Sequence, residues 1–465
     1  MSTASLGDRR RTSARARAAS FVALALALAL PAAGCAPQAA SSGGDGHTVS
    51  YWMWDAAQKP AYEACAKAFH KENPGLRVDI TQIGWDSYWT KLTSSFIAGT
   101  QPDVFTNHVA KYPQYEGLGA LSPLDELGPT RGIEDSDFEP GLGKPWIGRD
   151  GHRYGAPKDW DTVGVFYNKK ITRAAGVSDA ELRDLAWNPR DGGSFEKTLA
   201  RLTVDANGKR GDEPGFDKDN VARYGLATND AGGDNSGQTQ WSSFAASAGW
   251  HYMDKNPWGE HYNYDQKTLH KTLGWYFGLA EKGYMAPLED YSDTNHPETQ
   301  LASGKAALAM HGSWMLSTFA GLKGVDLGIA PTPKGPTGKR ASMLGGLADS
   351  IPKGAKNKRG AAKWVAFLAS DECQKLVGED ATVFPATPAG TKRATAAHRK
   401  KGLDVTPFTR HIEEGTTFSF PISDHAADIN AMLVPAMQEI YAGDSPAESL
   451  TETNKQINFL FQQDK

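Results

Sequence analysis

Cysteine is scarce, with only Cys35, Cys65 and Cys373 in 465 residues, so neither a disulfide-dense scaffold nor a four-thiolate zinc centre can be built. Long apolar runs are missing as well. The only continuous one is Phe21 to Leu30, about half of the roughly 20 residues needed to span a bilayer, which excludes a polytopic membrane protein. Nor is there an excess of cations: 50 Lys plus Arg face 54 Asp plus Glu. An acidic chain argues against nucleic acid as a partner, because phosphate backbones are held by clustered cations. The basic clusters Lys353 to Arg359 and Lys392 to Lys401 lie beside Gly or Pro and read as solvated surface. Enzyme signatures are absent too: H-E-x-x-H, C-x-x-C, G-x-S-x-G, the Walker loop and G-x-G-x-x-G do not occur. Ser194-Phe195-Glu196-Lys197 matches an S-x-x-K nucleophile pattern without its companions, and Ser194 reads as a helix N-cap. In Asp205-Ala206-Asn207-Gly208 a calcium loop is broken by Lys209, and the 12 histidines show no ligand spacing. No catalytic residue, cofactor or metal is expected.

What is present begins with a leader. Arg9, Arg10, Arg11, Arg15 and Arg17 form a basic region, Phe21 to Leu30 an apolar one, and Pro31 to Gly34 a small-residue junction. Residues 1–34 therefore read as an export signal. Cys35 follows directly, where a thiol can take up a diacylglycerol. The stretch resembles a bacterial lipoprotein signal, with Ala32 where that pattern prefers Leu. The resemblance implies a lipid on Cys35, a flexible tether over residues 35–46, and an extracytoplasmic body anchored to the outer face of the cytoplasmic membrane by lipid alone. In that oxidising compartment Cys65 and Cys373 are a candidate pair, although spacing does not say whether their Cα atoms come within bonding range.

The body begins near His47. Thr48 to Trp52 reads as a strand, Lys59 to Glu72 as a helix stopped by Pro74-Gly75, and Leu76, Val78 and Ile80 alternate as a second strand. A helix from Asp86 to Gly99 and a third strand at Val104-Phe105 complete a βαβαβ unit, the sign of a parallel sheet covered by helices. Further strands are expected at Val163 to Tyr167 and Val325 to Ala330, and an amphipathic helix at Gly360 to Val377. Two α/β domains are expected, with ligands at the carboxyl ends of the strands. All 13 tryptophans follow the leader, and Trp52, Trp54, Trp85, Trp160, Trp250 and Trp314 fall at strand ends or crossings. Indole plates pack on the C–H face of a sugar, while Asp, Asn and Arg pair with its hydroxyls. Trp89, Trp275 and Trp364 sit in helical patterns and read as core.

Several linked segments carry a family likeness: Tyr88 to Leu92 through Ala98 to Phe105, Gly151 to Pro157 through Tyr167-Asn168-Lys169, and Met310-His311-Gly312-Ser313-Trp314. Leu344-Gly345-Gly346 through Ile351-Pro352-Lys353, Ala361 to Leu368 and Phe384-Pro385-Ala386 extend it. In their order the chain resembles the family 1 extracellular solute-binding proteins, the capture components of carbohydrate ABC importers. The resemblance implies an α/β fold of two lobes, each a mainly parallel sheet covered by helices, joined by hinge strands and closing on a sugar. It places the N-lobe at residues 47–158 and 330–372 and the C-lobe at 159–329 and 373–465. It assigns ligand contacts to Trp54, Asp55, Asn107, Trp160, Asp161, Trp314, Gly346 and Asp349; Trp85 and Trp250 join on position alone. The loop after Pro102 holds Asn107 and His108 where the family often has an aromatic. The implied partners are a sugar and the permease subunits of an ABC transporter, the protein acting as a monomer without catalysis. A surface-anchored carbohydrate-active enzyme is the alternative, since paired carboxylates such as Asp159 and Asp161 also serve glycoside hydrolysis.

Overall fold

The structure, a computed structural model, describes residues 46–230, 236–292 and 294–463. The leader, Cys35 and the tether up to residue 45 lie outside these residues.

The chain opens with β1 (Thr48–Met53), α1 (Lys59–Glu72), β2 (Arg77–Gln82), α2 (Trp85–Ala98), β3 (Val104–His108) and α3 (Tyr112–Gly117). α1 buries Tyr62, Cys65 and Phe69 on one face, and α2 ends where Gly99 takes a left-handed φ of 66°. β2 and β3 pair with β1 in parallel, as the βαβαβ reading requires.

The next strands are β4 (Ala156–Asp161), β5 (Val163–Asn168), β6 (Val204–Asp205), β7 (Val221–Leu226), β8 (Ala306–Gly312), β9 (Leu327–Pro331), β10 (Ser342–Ser350), β11 (Phe384–Pro385) and β12 (Thr417–Ser419). One sheet runs β11-β4-β10-β3-β1-β2 with β12 on β10; the other runs β6-β7-β8-β5-β9. The fold is α/β with two lobes, and the sheets are mixed rather than mainly parallel. β10 is antiparallel to β3 and β4, β11 to β4, and β5 to both β8 and β9. The reason is connectivity: a chain that crosses from one sheet to the other and back enters each in the reverse direction.

Those crossings also correct the expected boundaries. β4 stays in the first sheet up to Asp161, and β9 belongs to the second, so the cuts at 159 and 330 fall inside strands of the other lobe. The cut at 372 divides the helix Asp371–Asp380, which a disulfide from Cys65 to Cys373 ties to α1 with Cα atoms 5.1 Å apart. β11 follows it into the first sheet. Among the described residues, no helix is long and apolar enough to cross a membrane.

Candidate functional site

The carboxyl ends of β1, β2 and β3 bring rings together. Trp54 follows β1, and its indole meets Trp85, Tyr88 and Trp89 at centroid distances of 5.1, 5.1 and 5.3 Å. Gln82 at the end of β2 donates to the Trp54 carbonyl at 2.7 Å. Trp85 opens α2 and is 41% exposed, a large apolar surface left open to solvent. His108 closes β3 and lies 5.7 Å from Trp85 and 5.4 Å from Phe420, which follows β12 and whose carbonyl accepts from Asn256 of the second lobe at 2.6 Å. Trp54, Trp85, His108 and Phe420 thus form an aromatic wall. Beside it Asp55 accepts from the Ala57 amide (2.8 Å) and the Gln58 side chain (3.0 Å), which fixes the turn into α1.

The crossing from β4 to β5 carries the second group. Asp161 Oδ1 accepts from Gln238 Nε2 of the second lobe at 3.0 Å, and the Gly345 backbone N–H supports the same carboxylate. A Cβ at Gly345 would meet the Asp161 oxygens at 2.3 Å, so a side chain there would displace that carboxyl. Burial, then the Asp159 charge, pushes the Asp161 carboxyl up to about 8. Ser313, after β8, donates its amide to the Thr162 carbonyl at 2.9 Å and so seats Trp314 beside the crossing. The half-buried Trp314 indole folds over Gly312, where a Cβ would fall 1.6 Å from the ring. Gly346 is a buried strand residue of β10, opposite Trp160, and offers backbone only.

Four other expected contacts face inward. Asn107 is fully buried: Oδ1 accepts from the His108 amide at 2.9 Å and Nδ2 donates to Ser350 at 3.2 Å. Both faces of β3 are buried up to its last residue, and His108 is half-buried because it stands at the carboxyl end of the strand. Trp160 stacks on Phe384 at 4.6 Å and donates to Thr391 at 3.0 Å. Trp250 sits among Trp241, Tyr252 and Tyr264 and donates to the Asn263 carbonyl at 2.9 Å. Asp349 is buried and accepts from Tyr51 at 2.8 Å; burial, offset by Lys158, pushes it up to about 6. The Lys158 ammonium, itself buried, donates to Tyr51 (2.9 Å) and Thr106 (3.0 Å) and lies 3.9 Å from the Tyr62 ring centre. Next to it burial raises Asp159 to about 7, with Lys158 opposing the shift.

His108, Gln238 and Phe420 were not singled out as contacts by the sequence. The position of His108 at the carboxyl end of β3 was the available signal; no local pattern marks Gln238 or Phe420, which arrive through tertiary folding. Among the described residues no cluster of three or more metal-ligating side chains occurs.

A family model described as bacterial extracellular solute-binding protein matches residues 54–375. The chain is 27% identical over 335 residues to the maltooligosaccharide ABC transporter solute-binding lipoprotein of Streptococcus pneumoniae, covering 71% of this chain and 70% of that one. To the maltodextrin-binding protein MdxE of Bacillus subtilis it is 26% identical over 385 residues, 81% of each. Among solved structures, UspC of M. tuberculosis superposes with a TM-score of 0.69 at 24% identity, over 88% of this chain and 99% of that one. Lmo0181 of Listeria monocytogenes, in complex with cycloalternan, gives 0.72 at 18% identity, over 90% and 99%. These structures are alike in fold. With the model spanning most of its length and both lobes in place, this chain belongs to the bacterial extracellular solute-binding proteins, a family of binding proteins and not of enzymes.

Proposed function

We propose that the protein captures a mono- or oligosaccharide between its lobes and hands it, chemically unaltered, to the permease subunits of an ABC importer. The observation that carries this reading is the aromatic wall of Trp54, Trp85, His108 and Phe420, together with the half-buried Asp161 carboxyl at the crossing, which accepts from Gln238 of the second lobe. Rings hold the C–H face of a pyranose, and Asp161, Asp55 and Gln238 pair with hydroxyls. A desolvated partner left unpaired by the wrong stereoisomer costs about 1–3 kcal/mol, which gives selectivity. The relatives named for maltooligosaccharide and maltodextrin, and the fold neighbour holding cycloalternan, support a carbohydrate.

The ligand favours the closed form only through its differential affinity for that form, and the closed surface is what the permease recognises. Trp54, Asp55, Trp85, Asp161 and Trp314 remain the proposed contacts, with His108, Gln238 and Phe420 added. Lipid on Cys35 holds the monomer at the outer face of the cytoplasmic membrane, where it takes at least two acyl chains for a stable anchor.

Calorimetry and thermal shift against mono-, di- and trisaccharides test the capture. Binding is expected for at least one saccharide, and Trp314→Ala weakens it by about 2 kcal/mol, roughly thirtyfold in Kd. Clear binding of amino acids or peptides with no saccharide binding overturns the reading. Expression of Cys35→Ser tests the anchor: the variant is expected in the soluble extracytoplasmic fraction, the parent with membranes.

A further inference from the structure

Two residues that the capture site does not use, Arg149 and Trp258, bridge the lobes. Arg149 belongs to the first lobe: it stands on the turn between Ile147 and Arg153, which pair antiparallel, and the Arg153 carbonyl accepts from the Leu124 amide at 2.7 Å. Its Nε lies 2.6 Å from Asp424 and its Nη1 3.5 Å from Glu260. Both acids sit on one scaffold of the second lobe. There Asn256 Oδ1 accepts from the Ile422 amide at 3.1 Å, the Tyr262 hydroxyl lies 2.9 Å from that of Ser423, and the Tyr262 amide donates at 2.7 Å to Asn458 of the helix Leu450–Gln463.

Trp258 repeats the bridge without charge. Its amide donates to the Ile422 carbonyl at 2.7 Å within the second lobe, while its indole N–H donates to the Ile147 carbonyl of the first at 2.8 Å. The ring lies 6.2 Å from that of Tyr112 in α3 and 5.9 Å from the Arg149 guanidinium. Trp258 holds this place with a left-handed φ of 64°, a conformation that costs a side-chain-bearing residue stability. The seam is otherwise acidic. A Cβ at Gly148 would meet oxygens of Glu116 and Asp150 at 2.8 and 2.9 Å, so both carboxyls flank the Arg149 turn. Burial, then the charges of Asp150 and Asp424, raise the Glu116 carboxyl, and Arg149 opposes the shift. Acids of the two lobes thus feel each other, with Arg149 between them. An exposed ion pair adds little to folding stability. A contact made in only one of two lobe arrangements, however, shifts their ratio by its whole value.

We infer that Arg149 is a positioning residue for capture: with Trp258 it latches the segment 420–424, and with it Phe420 of the aromatic wall, to the first lobe, through an attraction that salt screens. The inference rests on the capture reading above and adds an electrostatic control of closure.

Calorimetry with an uncharged saccharide that wild type binds, at about 20 and about 500 mM sodium chloride, tests it. Wild-type Kd is expected to weaken about threefold between the two. Arg149→Met should weaken binding about tenfold at low salt and reverse the slope, its Kd tightening with salt, because the facing acids now repel. Arg149→Lys keeps the wild-type sign. Asp424→Asn alone flattens the slope, and added to Arg149→Met it restores part of the loss. Trp258→Phe, which lacks the indole donor, weakens binding with the slope unchanged. A purely structural defect would weaken binding alike at both salt concentrations. Arg149→Met within twofold of wild type at low salt, or Arg149→Met and Asp424→Asn both retaining the wild-type slope, overturns the latch while leaving capture intact. Absence of binding by wild type for every saccharide overturns the capture function and the latch together.

Discussion

At the level of single residues, the buried ionisable groups set a pH profile with two limbs. Asp161, Asp159 and Asp349 are pushed by burial up to about 8, 7 and 6, against about 3.9 in an unfolded chain. The folded state therefore holds their protons more tightly, and the stability this contributes is full below about pH 4 and is lost as pH rises through about 6 to 8. His311 and His411 are held down to about 3, chiefly by burial, against about 6.5 unfolded. Their contribution is full above pH 6.5 and is lost as pH falls toward 3. Above about pH 6.5 the imidazole contribution is complete and only the carboxyls still titrate, so calorimetric Tm is expected to fall as pH rises from about 6.5 to 8. Asp161→Asn should flatten the alkaline limb and spare the acid one; a profile unchanged by that substitution contradicts the assignment. Trp54, Trp85 and Trp314 were legible in the sequence because strand ends locate them. Trp250 was not, because an aromatic-rich segment looks the same whether its rings face a ligand or, as here, pack on Trp241, Tyr252 and Tyr264.

At the level of elements, the disulfide and the helix glycines carry opposite predictions. Cys65 and Cys373 are 308 residues apart in sequence and join α1 to the helix Asp371–Asp380. Closing so long a loop restricts the unfolded chain, an effect of typically about 2–4 kcal/mol. Cys65→Ser with Cys373→Ser is expected to lower Tm by several degrees in a thermal melt, and reductant should do the same to wild type only. Gly274→Ala should instead raise stability by about 0.5–1 kcal/mol in urea denaturation, since the added methyl meets open space. The helices and strands themselves were largely readable: the 3.6-residue spacing of Tyr62, Cys65 and Phe69 and the Pro and Gly stops bounded α1 and α2. Strand direction was not. β4 and β10 pair antiparallel with an irregularity between Leu347 and Ala348, and no local pattern specifies a partner 190 residues away.

For the whole molecule, the lobes meet through side chains that belong to distant parts of the chain. Arg149 pairs with Asp424 at 2.6 Å, and the Trp258 indole donates to the Ile147 carbonyl at 2.8 Å. Small-angle scattering with and without a bound saccharide should register any change in how the lobes close, and a ligand that binds is expected to leave the compact form dominant. A radius of gyration that increases on binding contradicts capture by closure. What the sequence by itself determined is local: the βαβαβ unit from its periodicities, the absence of enzyme signatures, and the tryptophans placed at strand ends. Tertiary structure alone decided which sheet β9 and β11 enter, that Asp349 hides under Tyr51 and Lys158, and that Gln238 and Phe420 join Asp161 and His108. The physical reason is that burial, desolvation and ring stacking act between groups brought together by the fold, whereas periodicity and turn chemistry act between neighbours along the chain.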